Sequence, residues 1–183
     1  MDVLKNLLRR EDKVQIRPVC ESDFDQLSKI YRDSLKDNPE GFIQDVSFHG
    51  EIATIVERML AQNGAVLVAE VRGKVVGFGG LKPESDGSVE MCKLHVRKDY
   101  QGFGIGKKLA LGLIDVSEQL GHELVTLHVT VTQKVAIQLY ERLGFKKTDR
   151  KVYDVKDNQH VRSFDTLFME FSNISSSKLS RIA

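Results

Sequence analysis

The sequence predicts an α+β domain, a mixed and mostly antiparallel central sheet of about seven strands with helices on both faces. The order of segments is one reason: strand, two helices, three strands, helix, strand, helix, two strands. That order lacks the strict alternation of a doubly wound nucleotide fold. The run from Ala65 to Val96 is the other, because its three strand-like segments are separated by turns too short to hold a helix.

Met1 to Lys13 forms an expected amphipathic N-terminal extension through Val3, Leu4, Leu7 and Leu8. VQIRPV (Val14 to Val19) alternates apolar and polar residues as a first strand does. Ser22 and Asp25 have capping-box spacing, and Phe24, Leu27, Tyr31 and Leu35 mark a helix to about Lys36. Asp37 to Gly41 reads as a loop. Ile52, Ile55, Val56, Met59 and Leu60 mark a second helix, which Asn63-Gly64 ends. AVLVAEV, Arg72-Gly73 and KVVGFGGL make a hairpin, and Ser88 to Val96 the next strand.

A third helix follows from about Gly104 to Leu120, because Ile105, Leu109, Leu113, Val116 and Leu120 recur at spacings of three and four. ELVTLHVTV is a strand rich in β-branched residues. Ala136, Leu139, Tyr140 and Leu143 mark a short helix ending at Gly144, before two strands at about Phe145 to Asp154 and Val161 to Phe171. We divide the chain into an extension (1–13), one domain (14–172) and a polar tail (173–183), whose SSSKLSRIA run is expected to fray.

With 41% hydrophobic and 29% charged residues, the chain has enough apolar surface to offset the entropy of ordering, which excludes whole-chain disorder. Lys and Arg total 27 against 26 Asp and Glu, a net charge of +1 that argues against binding the nucleic-acid backbone. No apolar run approaches the roughly 20 residues of a membrane span, and no secretory leader is visible. Cys20 and Cys92 lie far apart without metal-ligand spacing, so neither a disulfide framework nor a metal site is expected, and a cytoplasmic location is.

Chemistry concentrates at Gln101-Gly102-Phe103-Gly104-Ile105-Gly106-Lys107, between a strand and an amphipathic helix. Backbone N–H groups at such a helix start have no intrahelical partner, so the turn can cradle a phosphate. From Lys93 to Lys108 there are five bases against one acid, a net of +4. Glycines at spacings of two and two do not meet the dinucleotide fingerprint, and Gly106-Lys107 is followed by Lys108, not the Ser or Thr of a Walker loop.

The spacing resembles the Q/R-x-x-G-x-G/A signature of the GNAT N-acetyltransferase superfamily. The likeness covers VEMCKLHVRKDYQGFGIGKKLALGLI and continues in AIQLYERLGF (Ala136 to Phe145), and the order of elements agrees from Ile16 to about Phe171. The resemblance implies acetyl-CoA as cosubstrate, no metal, and a pyrophosphate held on N–H groups of Gln101 to Lys107. It also implies that Leu94, His95 and Val96 lend main-chain groups to the pantetheine arm, with Gln133 and Ala136 contributing from the second block. Gln133 stands where many members carry Asn; its amide is one methylene farther out.

Moving an acetyl group from a thioester to an amine needs a neutral amine and a proton for the leaving thiolate. The resemblance implies that Tyr140 is the acid, with Glu90 taking the amine proton directly or through water. His95 is assigned main-chain binding only, and His49, His122, His128 and His160 show no metal spacing. The resemblance implies that the acceptor, a small molecule or a peptide, meets the first two helices and their loop and the loop between the last strands; eight acids from Glu21 to Glu51 against three bases, a net of −5, suit a cationic amine. A non-catalytic acyl-CoA sensor and an interaction domain of the same fold are the alternatives, and a homodimer is left open.

Overall fold

A computed structural model describes residues 13–37, 51–156 and 161–173. The expected N-terminal helix, most of the loop after Asp37 and nearly all of the polar tail lie outside these residues. The described elements are β1 (Gln15–Pro18), α1 (Phe24–Asp37), α2 (Ile52–Ala61), β2 (Ala65–Val71), β3 (Lys74–Pro83), β4 (Val89–Val96), α3 (Ile105–Gln119), β5 (Leu124–Thr130), α4 (Lys134–Arg142), β6 (Lys146–Lys156) and β7 (Val161–Ser172). They form one seven-stranded sheet in the order β1-β2-β3-β4-β5-β7-β6. Only β4 and β5 run parallel; the other neighbours are antiparallel, as the α+β reading requires.

Strand β2 shows why the sheet is covered on both sides. Val66 and Val68 point into an apolar cluster with Leu27, Ile30 and Tyr31 of α1 and Ile52, Val56 and Met59 of α2. Leu67, Ala69 and Val71, on the alternate face, join Ile105, Leu109 and Leu113 of α3. Strands buried on both faces read as continuous apolar runs, and AVLVAEV is one. Among the described residues, none of β5, β6 or β7 joins the cluster under α1 and α2.

The start of α1 differs from the expected Ser22–Asp25 box. A single 3₁₀ turn, Glu21–Asp23, precedes the helix, and it is Asp23 that accepts the Cys20 N–H, at 2.9 Å. Asp23 is buried, and Arg17 of β1 grips both of its oxygens, at 2.7 and 2.9 Å, while also donating to Glu70 of β2 at 2.8 Å. This fork ties the helix start to the sheet edge. At the other end, Asn173 is buried: its amide donates to the Ser117 hydroxyl at 3.0 Å and to the His122 carbonyl at 2.8 Å.

The Arg17 fork lowers the Asp23 carboxyl to about 2, against the opposing effect of burial. A carboxyl lowered on folding contributes stability above its ordinary value of about 4 and loses it as pH falls through the folded value. Asp23→Asn should therefore lower the urea midpoint at pH 7, by on the order of 3 kcal/mol in unfolding free energy. The gap from wild type should narrow between about pH 4 and pH 2. A gap that does not change with pH would contradict the assignment.

Candidate active site

The sheet opens where β4 and β5 meet. These strands pair only at Val89 with Val125 and Glu90 with Thr126, and they part beyond that point. The cause lies in β4. Phe78 faces His95 and Gly80 faces Cys92, so three steps along β4 match two along β3. The extra residue is Lys93, held at φ 56° in the left-handed region, and such a bulge bends its strand. The burial pattern agrees: Val89 and Met91 face the α3 cluster, and after the bulge Leu94 and Val96 do so again.

Glu90 stands at the mouth of this gap, with Lys82, Glu90, Thr126, Glu170 and Lys146 in one register row across five strands. Its carboxylate, 13% exposed, accepts from Lys82 Nζ at 3.1 Å and lies 2.7 Å from His128 Nδ1. Burial would raise its pKa, but the His128 hydrogen bond and charge and the Lys82 charge prevail and hold it at about 2. A carboxylate that acidic is a weak proton acceptor. His128, two residues beyond Thr126 on β5 and about half exposed, lies over Phe168 at 6.1 Å.

Tyr140 is buried, its ring edge-on to Phe145 at 5.7 Å, and no described residue hydrogen-bonds its hydroxyl. Burial raises its pKa, and the nearby Cys92 adds to the shift, so the phenol stays protonated well into the alkaline range. Cys92 is itself pushed up to about 12 by burial, which makes it a poor thiolate nucleophile. Lys93 reaches the Tyr31 hydroxyl at 3.3 Å, and burial lowers its pKa. The His95 side chain is buried between Tyr31 and Phe78, with both ring centroids 5.3 Å away.

At the glycine turn, Gly104 caps α3 at φ 76°, and the first intrahelical bond runs from Lys108 N–H to its carbonyl. The N–H groups of Ile105, Gly106 and Lys107 thus remain for a ligand. A Cβ on Gly104 would meet nothing within 4 Å, and one on Gly106 would touch only Leu139 at 3.7 Å and Val96 at 3.9 Å. Phe103 and Ile105 pack into the core beneath, and Gln101 donates its side-chain amide to the Val96 carbonyl at 2.9 Å, so one expected pantetheine contact is already engaged. Leu94 and Ala136 pack against the same core.

Two expectations change here. The +4 of the sequence does not converge on the turn, since Arg97 pairs with Asp99 at 2.9 Å, Lys98 with Asp37 at 3.5 Å, and Lys93 faces Tyr31. Lys107 and Lys108 remain as its exposed cations. Gln133 donates its side-chain amide to the Thr130 hydroxyl at 3.3 Å. Of the eight acids, Asp23 is taken up by Arg17, and Glu40 and Asp45 lie outside the described residues. A separate groove of about 230 Å³ beside the gap carries Glu84, Asp86, Thr126, Thr148, Phe168 and Glu170. Among the described residues no cluster of His, Cys, Asp and Glu could hold a metal ion.

Comparison with known proteins agrees with this architecture. Residues 17–145 match the model of the acetyltransferase (GNAT) family. The protein named "Probable N-acetyltransferase camello" of Xenopus tropicalis is 36% identical over 116 residues, 62% of this chain and 52% of its own length. Human N-acetyltransferase 8B is 30% identical over 117 residues, 61% of this chain and again 52% of its own length. The chain thus spans about half the length of these curated relatives. A phosphinothricin acetyltransferase from Sinorhizobium meliloti, solved in complex with acetyl-CoA, superposes with a TM-score of 0.73 at 22% identity, covering 87% of this chain and 88% of that one. With a family match over most of its length, and a fold shared with solved members, the chain belongs to the acetyltransferase (GNAT) family.

Proposed function

We propose that this protein transfers the acetyl group of acetyl-CoA to a primary amine, by direct attack within a ternary complex. The observation that carries this reading is the gap between β4 and β5, with a proton-accepting pair on one side and a protonated phenol near it. The pyrophosphate would rest on the N–H groups of Gly102 to Lys107, and the thioester arm would follow the β4 edge past Val96 and Leu94. Bound there, acetyl-CoA supplies the activated acyl group. The chain's own part is to position the amine, accept its proton and give the Tyr140 proton to the leaving sulfur. A direct transfer is favoured over an acyl-cysteine route because the Cys92 thiol holds its proton at neutral pH.

For the acceptor we favour a cationic amine. Glu84, Asp86 and Glu170 line the groove beside the gap, and Thr126 in that groove is the register partner of Glu90. Such a field raises the local concentration of a positively charged substrate, and salt screens it. Release of free thiol from acetyl-CoA, followed across cationic, neutral and anionic primary amines, tests the proposal. A cationic amine should be the fastest and should slow as salt rises. Binding of acetyl-CoA without thiol release would instead support an acyl-CoA sensor.

Two substitutions at the turn separate backbone strain from ligand contact. Gly104→Val places a β-branched residue at positive φ, where an L-residue costs about 1–2 kcal/mol, and should weaken acetyl-CoA binding about tenfold or more. Gly106→Ala puts its methyl in ordinary van der Waals space and should leave thermal stability unchanged while weakening acetyl-CoA. Titration calorimetry beside thermal unfolding reads both. Unchanged affinity in both variants would remove the cradle from this turn.

Tyr140→Phe keeps the ring against Phe145 and removes the hydroxyl. Turnover should fall roughly 10²-fold, within the usual worth of a general acid, with acetyl-CoA affinity nearly unchanged. Because burial raises this phenol, the wild-type rate should hold up to about pH 10 without a tyrosine limb. A Phe variant with full turnover would make Tyr140 a packing residue.

A further inference from the structure

We propose that His128 is the base of the transfer, taking the amine proton at Nε2, and that Glu90 is its positioning residue; this rests on the acetyl-transfer reading above. The argument begins with the pair itself. His128 Nδ1 lies 2.7 Å from Glu90 Oε1. An ionised carboxylate only accepts hydrogen bonds, so Nδ1 carries a proton, and in the neutral ring Nε2 then holds the lone pair. Glu90 cannot turn away, because it is buried and also grips Lys82 at 3.1 Å. It therefore fixes the tautomer and stabilises the imidazolium that forms, which is the task of the acid in a hydrolytic triad.

Position supports the same division. The ring of His128 is about half exposed, whereas the Glu90 side chain is 13% exposed with both oxygens engaged. On β5, His128 is the first residue past the last paired position that shares the face of Thr126, so it borders the gap from the side opposite the α3 cluster. Among the described residues, α1 and α2 cover β2 to β4 but contribute no apolar contact to β5. Tyr140 belongs to the other cluster, so a base and an acid sit on the two faces of one opening. Other charged groups on the described elements around the ring are Glu170 of β7, the register partner of Thr126, Glu84, paired with Lys82 at 2.6 Å, and, past Phe168, Lys151 paired with Asp149 at 3.0 Å, with Tyr153 beside the same phenylalanine.

The step balances without another reactant. The amine nitrogen bonds to the thioester carbonyl carbon as its proton passes to His128 Nε2. The C–S bond breaks, its electron pair stays on sulfur, and the thiolate takes the Tyr140 proton. Products are the N-acetyl amine and free CoA thiol; His128 gives its proton to solvent and the phenolate regains one.

The test compares wild type, His128→Gln and Glu90→Gln. Thiol release is followed against pH with the fastest amine of the panel, acetyl-CoA affinity is measured by calorimetry, and the ring ¹⁵N shifts of His128 are recorded. His128→Gln should keep acetyl-CoA affinity, lose about 10²–10⁴-fold in turnover and lose the acid limb of the profile. Glu90→Gln keeps a hydrogen-bond acceptor but removes the charge, and should slow the reaction less. Wild-type His128 should be protonated at Nδ1. If Glu90 were the base the order would reverse, with Glu90→Gln inert and His128→Gln active; that result, or a ring protonated at Nε2, overturns the inference alone. A wild-type protein that binds acetyl-CoA but turns over no amine overturns the transfer reading and this inference with it.

Discussion

The bulge at Lys93 sets the geometry on which the rest of the site depends. A non-glycine residue in the left-handed region costs about 1–2 kcal/mol and persists only where its surroundings hold it there. Here the surroundings are specific. The Lys93 ammonium sits 5.2 Å over the Tyr31 ring and within reach of its hydroxyl, while Leu94 and Val96 re-enter the α3 cluster one residue late. Had β4 continued in register with β5, the two edges would have satisfied each other and left no opening. The extra residue removes that pairing after Glu90 and Thr126.

Electrostatics then assigns roles around the opening. Glu90 is buried, and its charge is held between the Lys82 ammonium, at 3.1 Å, and His128 Nδ1, at 2.7 Å. The same contacts lower its pKa, and in the proposed mechanism they make it a clamp on the imidazole. Burial works in the opposite sense on Tyr140, which it keeps protonated, and on Cys92, which it keeps as a thiol. In the proposed mechanism a buried phenol and an exposed imidazole divide the acid and base chemistry by their solvation.

Much of this was legible in the residues. Period-two and period-3.6 patterns located the strands and helices, and the strand-turn-helix placement of Gln101 to Lys107 located the open helix start. Partner choice was not legible. That β7 lies between β5 and β6 depends on long-range pairing, which local pattern does not encode. The role of the basic residues near the turn was overread, because a sequence count does not show that Arg97 and Lys98 turn to Asp99 and Asp37. The contact of His128 with Glu90 is not legible in the sequence, since Glu90 lies thirty-eight positions away on another strand. The bulge did leave a trace: the inward residues Val89, Met91, Leu94 and Val96 break period two at one step.

The central claim is that the opened edge of β4 and the start of α3 together hold the acyl-CoA arm. Amide hydrogen exchange, measured residue by residue with and without acetyl-CoA, tests it most directly. Exchange should slow at residues 92–96 of β4 and at 102–107, with little change along β6 and β7. Protection confined to another surface, or none at β4 while acetyl-CoA is bound, would contradict the account.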